Sequence, residues 1–235
     1  LLMVSALLLT VKFTHTYRRW MLFGAAVCIG LAVWDKALFT WSMAGLGLAA
    51  VIVFFEEVLV LLRPVNVVVA LAGFLVGAWP LLLYNARNQG ATFAGNATLV
   101  PNDAPGKFIH VRLGLNGSAL FGYLIREEWE IPPDAAAALP LSVVERLSVS
   151  LRNTLGERRE GFLGGLMLVG LAMTPLWWKK ARRPPLFALV YLVVTWCMMA
   201  MTKDAGGSAH HVALMWPMPH FFIAAALAPA FGAML

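Results

Sequence analysis

The chain has 235 residues, of which 60% are hydrophobic and 13% charged, with a mean hydropathy of +0.77 and a net charge of +6. Soluble domains carry about 25% charged residues, so a soluble globular domain is excluded and an integral membrane protein is expected. A positive balance suits nucleic acid only when it forms a patch. In a membrane protein it is read first through the connections that hold it, and no nucleic-acid partner is expected.

Taken in order, uncharged runs fall at 1–11, 20–34, 37–55, 65–83, 161–178, 184–202 and 212–235. A spanning helix needs roughly 20 residues, within about 17–25, and five of these seven runs reach that range. The run at 20–34 has only 15 residues, about 22 Å at 1.5 Å per residue, against a hydrocarbon core about 30 Å thick. Leu1 opens inside an apolar run, Leu235 closes inside another, and no signal-peptide shape is present. An internal piece of a larger polytopic protein is therefore expected. The predicted fold is all-α, with about seven transmembrane segments (the first and last truncated). Transmembrane helices occupy 1–83 and 161–235, and one long extracytoplasmic loop occupies 84–160.

Short connections set orientation through their basic residues. Alternate loops hold Lys12, Arg18, Arg19, Arg63, Lys179, Lys180, Arg182 and Arg183, whereas the other short loops hold only Lys36 and Lys203. Eight against two predicts that 12–19, 56–64 and 179–183 face the cytoplasm of a multi-pass inner-membrane protein. Asp35-Lys36, the 84–160 segment and the 203–211 turn then share the opposite face.

The 84–160 segment is rich in turn formers near Asn88-Gln89-Gly90, Pro101-Asn102-Asp103 and Pro105-Gly106. It then has an apolar stretch at Ala119–Ile125 and a break at Pro132-Pro133. Apolar residues at 144, 147, 151 and 155, with Glu145, Arg146, Arg152 and Glu157 on or beside the other face, have amphipathic helical spacing. Such a helix either lies in the membrane interface or packs as an ordinary connector. Asn96-Ala97-Thr98 and Asn116-Gly117-Ser118 match the glycosylation triplet. Asp103, Glu127, Glu128, Glu130 and Asp134 read as solvated loop carboxylates.

Three places carry candidate chemistry. The first is Asp35-Lys36, at the tip of a hairpin whose first run is short, so the pair lies below the outer surface. A charge within the membrane costs about 2.5–3.5 kcal/mol at its centre, so Lys36 either binds an anionic headgroup or pairs with Asp35 and snorkels. The second is the outer end of the fourth run, Trp79-Pro80 and Tyr84-Asn85-Ala86-Arg87-Asn88. An aromatic belt with an Arg anchor accounts for these residues, and the Arg87 fork also matches phosphate oxygens. The third is His210-His211. Adjacent histidines on a helix diverge by about 100° and do not share one metal. The chain has no His-x-x-x-His or Glu-x-x-His spacing, so no zinc site is expected. Either histidine is placed to donate to a phosphate or simply to be wet. His220, within the last run, is expected to hydrogen-bond inside the bundle. Cys28 and Cys197 fall in apolar runs and read as free thiols.

Three passages resemble bacterial membrane glycosyltransferases of the protein O-mannosyltransferase-like superfamily, glycosyltransferase family 39 and its relatives. They are Gly30-Leu-Ala-Val-Trp-Asp-Lys-Ala-Leu-Phe-Thr-Trp41, Gly77-Ala-Trp-Pro-Leu-Leu-Leu-Tyr-Asn-Ala-Arg-Asn-Gln-Gly90 and His210-His-Val-Ala-Leu-Met-Trp-Pro-Met-Pro219. The resemblance implies a GT-C-like fold and inverting transfer of a sugar from a polyprenyl-phosphate-linked donor. The acceptor would be a glycan, lipid or protein on the extracytoplasmic side. It implies a donor-phosphate site at Lys36 and at His210 or His211, beside Arg87 and with Asp35, Tyr84 and Asn85 in support. Here His stands where many relatives have Arg. The catalytic carboxylate is expected in an outer loop upstream of Leu1. No certain cofactor is read from these residues, and a divalent-metal requirement is not legible. A transporter or flippase for lipid-linked anions, or a non-catalytic membrane scaffold, would use the same cations without a base. A transporter would add an internal repeat and helices broken at midplane, and no repeat is visible.

Overall fold

The computed structural model describes residues 1–94, 98–100, 104–115, 142–143, 146–147, 150, 162–203 and 205–231. Its elements are α1 (Leu2–Thr16), α2 (Arg19–Asp35), α3 (Phe39–Val53), α4 (Phe55–Leu61), α5 (Pro64–Arg87), α6 (Ala91–Ala94), α7 (Ala104–Leu115), α8 (Leu163–Ala172), α9 (Thr174–Ala181), α10 (Arg183–Met201), α11 (Ala209–Val212), a 3-10 turn (Ala213–Met215) and α12 (Met218–Phe231). Among the described residues the only extended pairing is an isolated bridge between Leu99 and Thr202. The expected all-α class is observed.

Among the described residues, three segments are long and apolar enough to cross a membrane: Pro64–Arg87, Arg183–Met201 and Ala213–Ala230. A fourth results if α3 and α4, bent by 117° at Phe54, are counted as one. That is fewer than the seven apolar runs suggest, and the backbone shows why. The 37–55 run stops as a helix at Val53, because Phe54 leaves helical geometry (φ −125°, ψ 43°) and α4 turns away. The 161–178 run divides into α8 and α9 at Met173-Thr174, where Pro175 lacks the N–H needed to continue. α1 has 15 residues and α2 has 17.

A backbone break among apolar helices must have its freed carbonyls satisfied by other donors. Here the Thr174 hydroxyl donates to the Leu171 carbonyl, and the buried Trp177 Nε1 donates to the Gly170 carbonyl at 2.9 Å. Trp177→Phe removes the second donor while keeping most of the volume. The expected cost is about 1–3 kcal/mol, the usual penalty for orphaning a buried acceptor, read as a lowered unfolding midpoint in detergent.

α5 is inverted relative to a soluble helix. Its buried positions include Gly73, Gly77 and Ala78, while Val65, Val68, Leu71, Leu75, Val76 and Trp79 are each more than half exposed. Burying small residues and presenting large ones outward is how helices associate in lipid, where close backbone approach replaces the hydrophobic drive. The partner is α2. A Cβ added at Gly77 would sit 2.9 Å from the Leu31 amide nitrogen and 3.1 Å from Gly30 Cα, and would overlap the Val27 carbonyl. One added at Gly73 would meet Phe23 and Ala26. Residues 23–26 thus face Gly73, and 27–31 face Gly77, so α2 and α5 run parallel.

The same bookkeeping sorts the connections. Phe13, Met21 and Leu22 cluster with Val60, Leu61, Val69 and Ala70. Asn66 Nδ2 donates to the Val60 carbonyl at 2.8 Å, and Arg183 pairs with Glu57 at 2.9 Å. The connections at 12–19, 56–64 and 179–183, which hold most of the positive charge of the short loops, therefore gather at one end of the bundle. α3 and α10 cross where Gly45 lies against Tyr191 and Thr195, running in opposite directions. This carries the α2–α3 hairpin tip toward the C-terminal end of α10.

Candidate functional site

The end away from the basic connections is built around one buried lysine. Pro105-Gly106 opens α7, and one residue later Lys107 is only 4% exposed. Its ammonium donates to three carbonyls at the C-terminus of α10: Met199 at 3.3 Å, Ala200 at 3.2 Å and Thr202 at 2.6 Å. The last carbonyls of a helix lack intrahelical donors and carry the negative end of its dipole. A cation with three donors satisfies both needs. Around it Val100 N donates to the Met201 carbonyl and Lys203 N to the Thr98 carbonyl, each at 2.8 Å. Gly206, at φ +75°, packs against the Lys107 stem. The start of the 84–160 segment and the 203–211 turn are thereby fastened together.

α7 then runs over an apolar cleft. The Phe108 ring meets Trp196 of α10 edge-on at 5.8 Å, and Gly114 admits Val212 and Trp216, whose nearest atoms lie 3.1 and 3.8 Å from where its Cβ would be. Beneath them α7, α8, α10 and α12 enclose a hollow of about 200 Å3 walled by side chains such as Leu192, Val193, Trp196, Met215 and Trp216. Its walls are almost wholly apolar, which suits hydrocarbon. Val212 lines the cleft and directly follows His211, so the histidine turn adjoins it.

The residues singled out in the sequence distribute as follows. Lys36 is half-buried just past α2, with its backbone bonded within its own hairpin to Ala32 and Phe39. Loss of water lowers the Lys36 pKa below the usual lysine value, and the neighbouring Asp35 carboxylate pulls it back up. An ammonium partly stripped of water gains from a second anion. With Gly30 level with Gly77, Asp35 lies level with residue 82, about 7.5 Å short of the end of α5 at 1.5 Å per residue. Tyr84 and Arg87 are exposed, as belt anchors are. Asn85 Nδ2 donates to the Leu81 carbonyl at 2.9 Å and its Oδ1 accepts from Thr92 N at 3.1 Å, so its amide braces the α5–α6 corner. His211 lies in α11 with its N–H on the Ser208 carbonyl at 3.1 Å. The His210 side chain lies outside the described residues, as do the carboxylates Asp103, Glu127, Glu128, Glu130 and Asp134, most of both glycosylation triplets and most of 141–155. His220 is exposed and stacks on Trp216 with centroids 4.5 Å apart, not within the bundle as expected. No family model, curated protein or solved structure matches this chain.

Lys107 was not a sequence candidate, because it reads as one more loop charge. The available signal was its setting: a single lysine behind Pro-Gly and ahead of Phe108-Ile109, which places a cation at a helix start with apolar neighbours. The apolar walls of the cleft can hold an apolar chain. Among the described residues, no three His, Cys, Asp or Glu side chains come together to hold a metal.

Proposed function

We propose that this protein is a membrane glycosyltransferase that takes its sugar from a polyprenyl-phosphate-linked donor. In this reading its fold is GT-C-like, and the end bearing Lys36 and the 203–211 turn faces the extracytoplasmic side. The observation that carries the reading is the apolar cleft at the end of the bundle that also bears the histidine turn and Lys36, an arrangement suited to a lipid whose head is a phosphate. The cleft would hold the first isoprene units, with His211 at its rim and Lys36 at the same end of the bundle steadying the phosphate. Cations that gain strength as charge develops on a leaving phosphate favour the transition state over the ground state. The acceptor is a hydroxyl of a glycan, lipid or protein. None of these residues is assigned as the base.

A transporter would place helix breaks at midplane. The break at Phe54 instead lies at the basic end, beside Arg183. Lys36→Ala is expected to lower transfer from a polyprenyl-phosphate sugar by at least about tenfold, roughly 1.4 kcal/mol of transition-state stabilisation, at unchanged protein level. Normal transfer by a normally expressed variant removes Lys36 from the site.

A further inference from the structure

The basic end holds a second built site, unrelated to the proposed transfer. At the α9–α10 corner, Lys179, Lys180, Arg182 and Arg183 surround an open hollow of about 560 Å3 whose floor includes Phe54, Trp178 and Pro184. Positive charge in a cytoplasmic connection, and lysines in the last turn of α9, have general explanations. The hollow has features that those explanations do not require. Arg183 is held in place from two sides, by its 2.9 Å pair with Glu57 and by the Phe54 ring 5.9 Å from its guanidinium carbon. Trp178 leans on the buried Trp177, with centroids 5.8 Å apart, and leaves nearly half of its own surface open. Pro184 and Pro185 open α10, so no backbone N–H is offered at those positions and an anion there must be met by side chains. Beside the hollow, α4 turns outward Phe55 and Leu59, each at least half exposed, where acyl chains would lie.

We infer that this corner binds the phosphodiester headgroup of an anionic phospholipid, with Lys179, Lys180 and Arg182 on the phosphate and Trp178 at the glycerol level. Arg183 is spent on Glu57 and shapes the wall. Four cations on one short corner are too few and too local for a nucleic-acid track, and the corner opens directly into α10, a helix long and apolar enough to cross a membrane. Clustered cations next to a membrane helix attract anionic lipid cumulatively.

Native mass spectrometry of the full chain, released from detergent with added phosphatidylglycerol or phosphatidylcholine, tests the site. Retained phosphatidylglycerol is expected to exceed phosphatidylcholine by about tenfold. The triple variant Lys179→Gln/Lys180→Gln/Arg182→Gln should abolish that preference without moving the unfolding midpoint. Arg18→Gln/Arg19→Gln/Arg63→Gln, which removes the same charge from the same end outside the hollow, should keep it. Equal loss in both triple variants means diffuse surface attraction and overturns the site. So does a wild-type chain that shows no preference, or whose anion is displaced by millimolar inorganic phosphate as readily as by lipid.

Discussion

Gly77→Leu is expected to separate α2 from α5 and to leave a protein that extracts poorly and unfolds at a markedly lower temperature. The position has no room: its missing Cβ is boxed by the Val27 carbonyl, the Leu31 nitrogen and Gly30 Cα, all backbone, none of which can swing aside as a side chain would. Overpacking costs about 1–3 kcal/mol where side chains can yield, and here the upper end of that range or more is expected. Gly47→Leu is the matched control. Nothing lies within 4 Å of the place its Cβ would take, so the same type of change inside a helix should be neutral, or stabilising by up to about 1 kcal/mol. Thermal unfolding of both variants in one detergent decides between close packing and a general intolerance of glycine replacement.

The second large effect is expected at Lys107. Lys107→Met keeps the length of the side chain and its apolar stem but removes the donors to Met199, Ala200 and Thr202. Hydrogen bonds from a charged donor are each worth about 1.5–3 kcal/mol, and three that share one donor are not additive, so a loss of about 3 kcal/mol is expected. The loss should be local. Amide exchange should rise at 98–100 and 201–206, whose pairing depends on this clamp, while the α2–α5 pair stays protected. Uniformly faster exchange would mean that Lys107 supports the whole bundle and not one corner.

The helices that were legible in the sequence are those whose local signals and packing agree. The runs at 65–83 and 184–202 became α5 and α10 because each opens with proline in its first turn and is apolar for its full length. The break at Met173 has a local cause in Pro175, although 161–178 was expected to form one unbroken span. The break at Phe54 has no such local cause, since Phe54 is neither glycine nor proline. There the helix ends as the Phe54 ring packs on Phe187, centroids 5.7 Å apart, and α4 swings round so that Glu57 reaches Arg183, a residue 126 positions away. A distant partner of that kind leaves no periodic trace. The charge asymmetry between loops was legible, because the connections it groups are those the helix contacts bring to one end. Lys107 was hidden for the opposite reason. Its role comes from the carbonyls of α10, and a single chain position does not say which helix end it will meet.

Whether the cleft under α7 takes the proposed lipid-phosphate donor can be read by photo-crosslinking with a polyprenyl phosphate that carries a photoreactive group in its proximal isoprene units. Adducts are expected on Val193, Trp196 and Met215, and they should fade when unlabelled polyprenyl phosphate is added. Adducts confined to the outward face of α5, from Val65 to Trp79, with none in the cleft, would contradict the proposal.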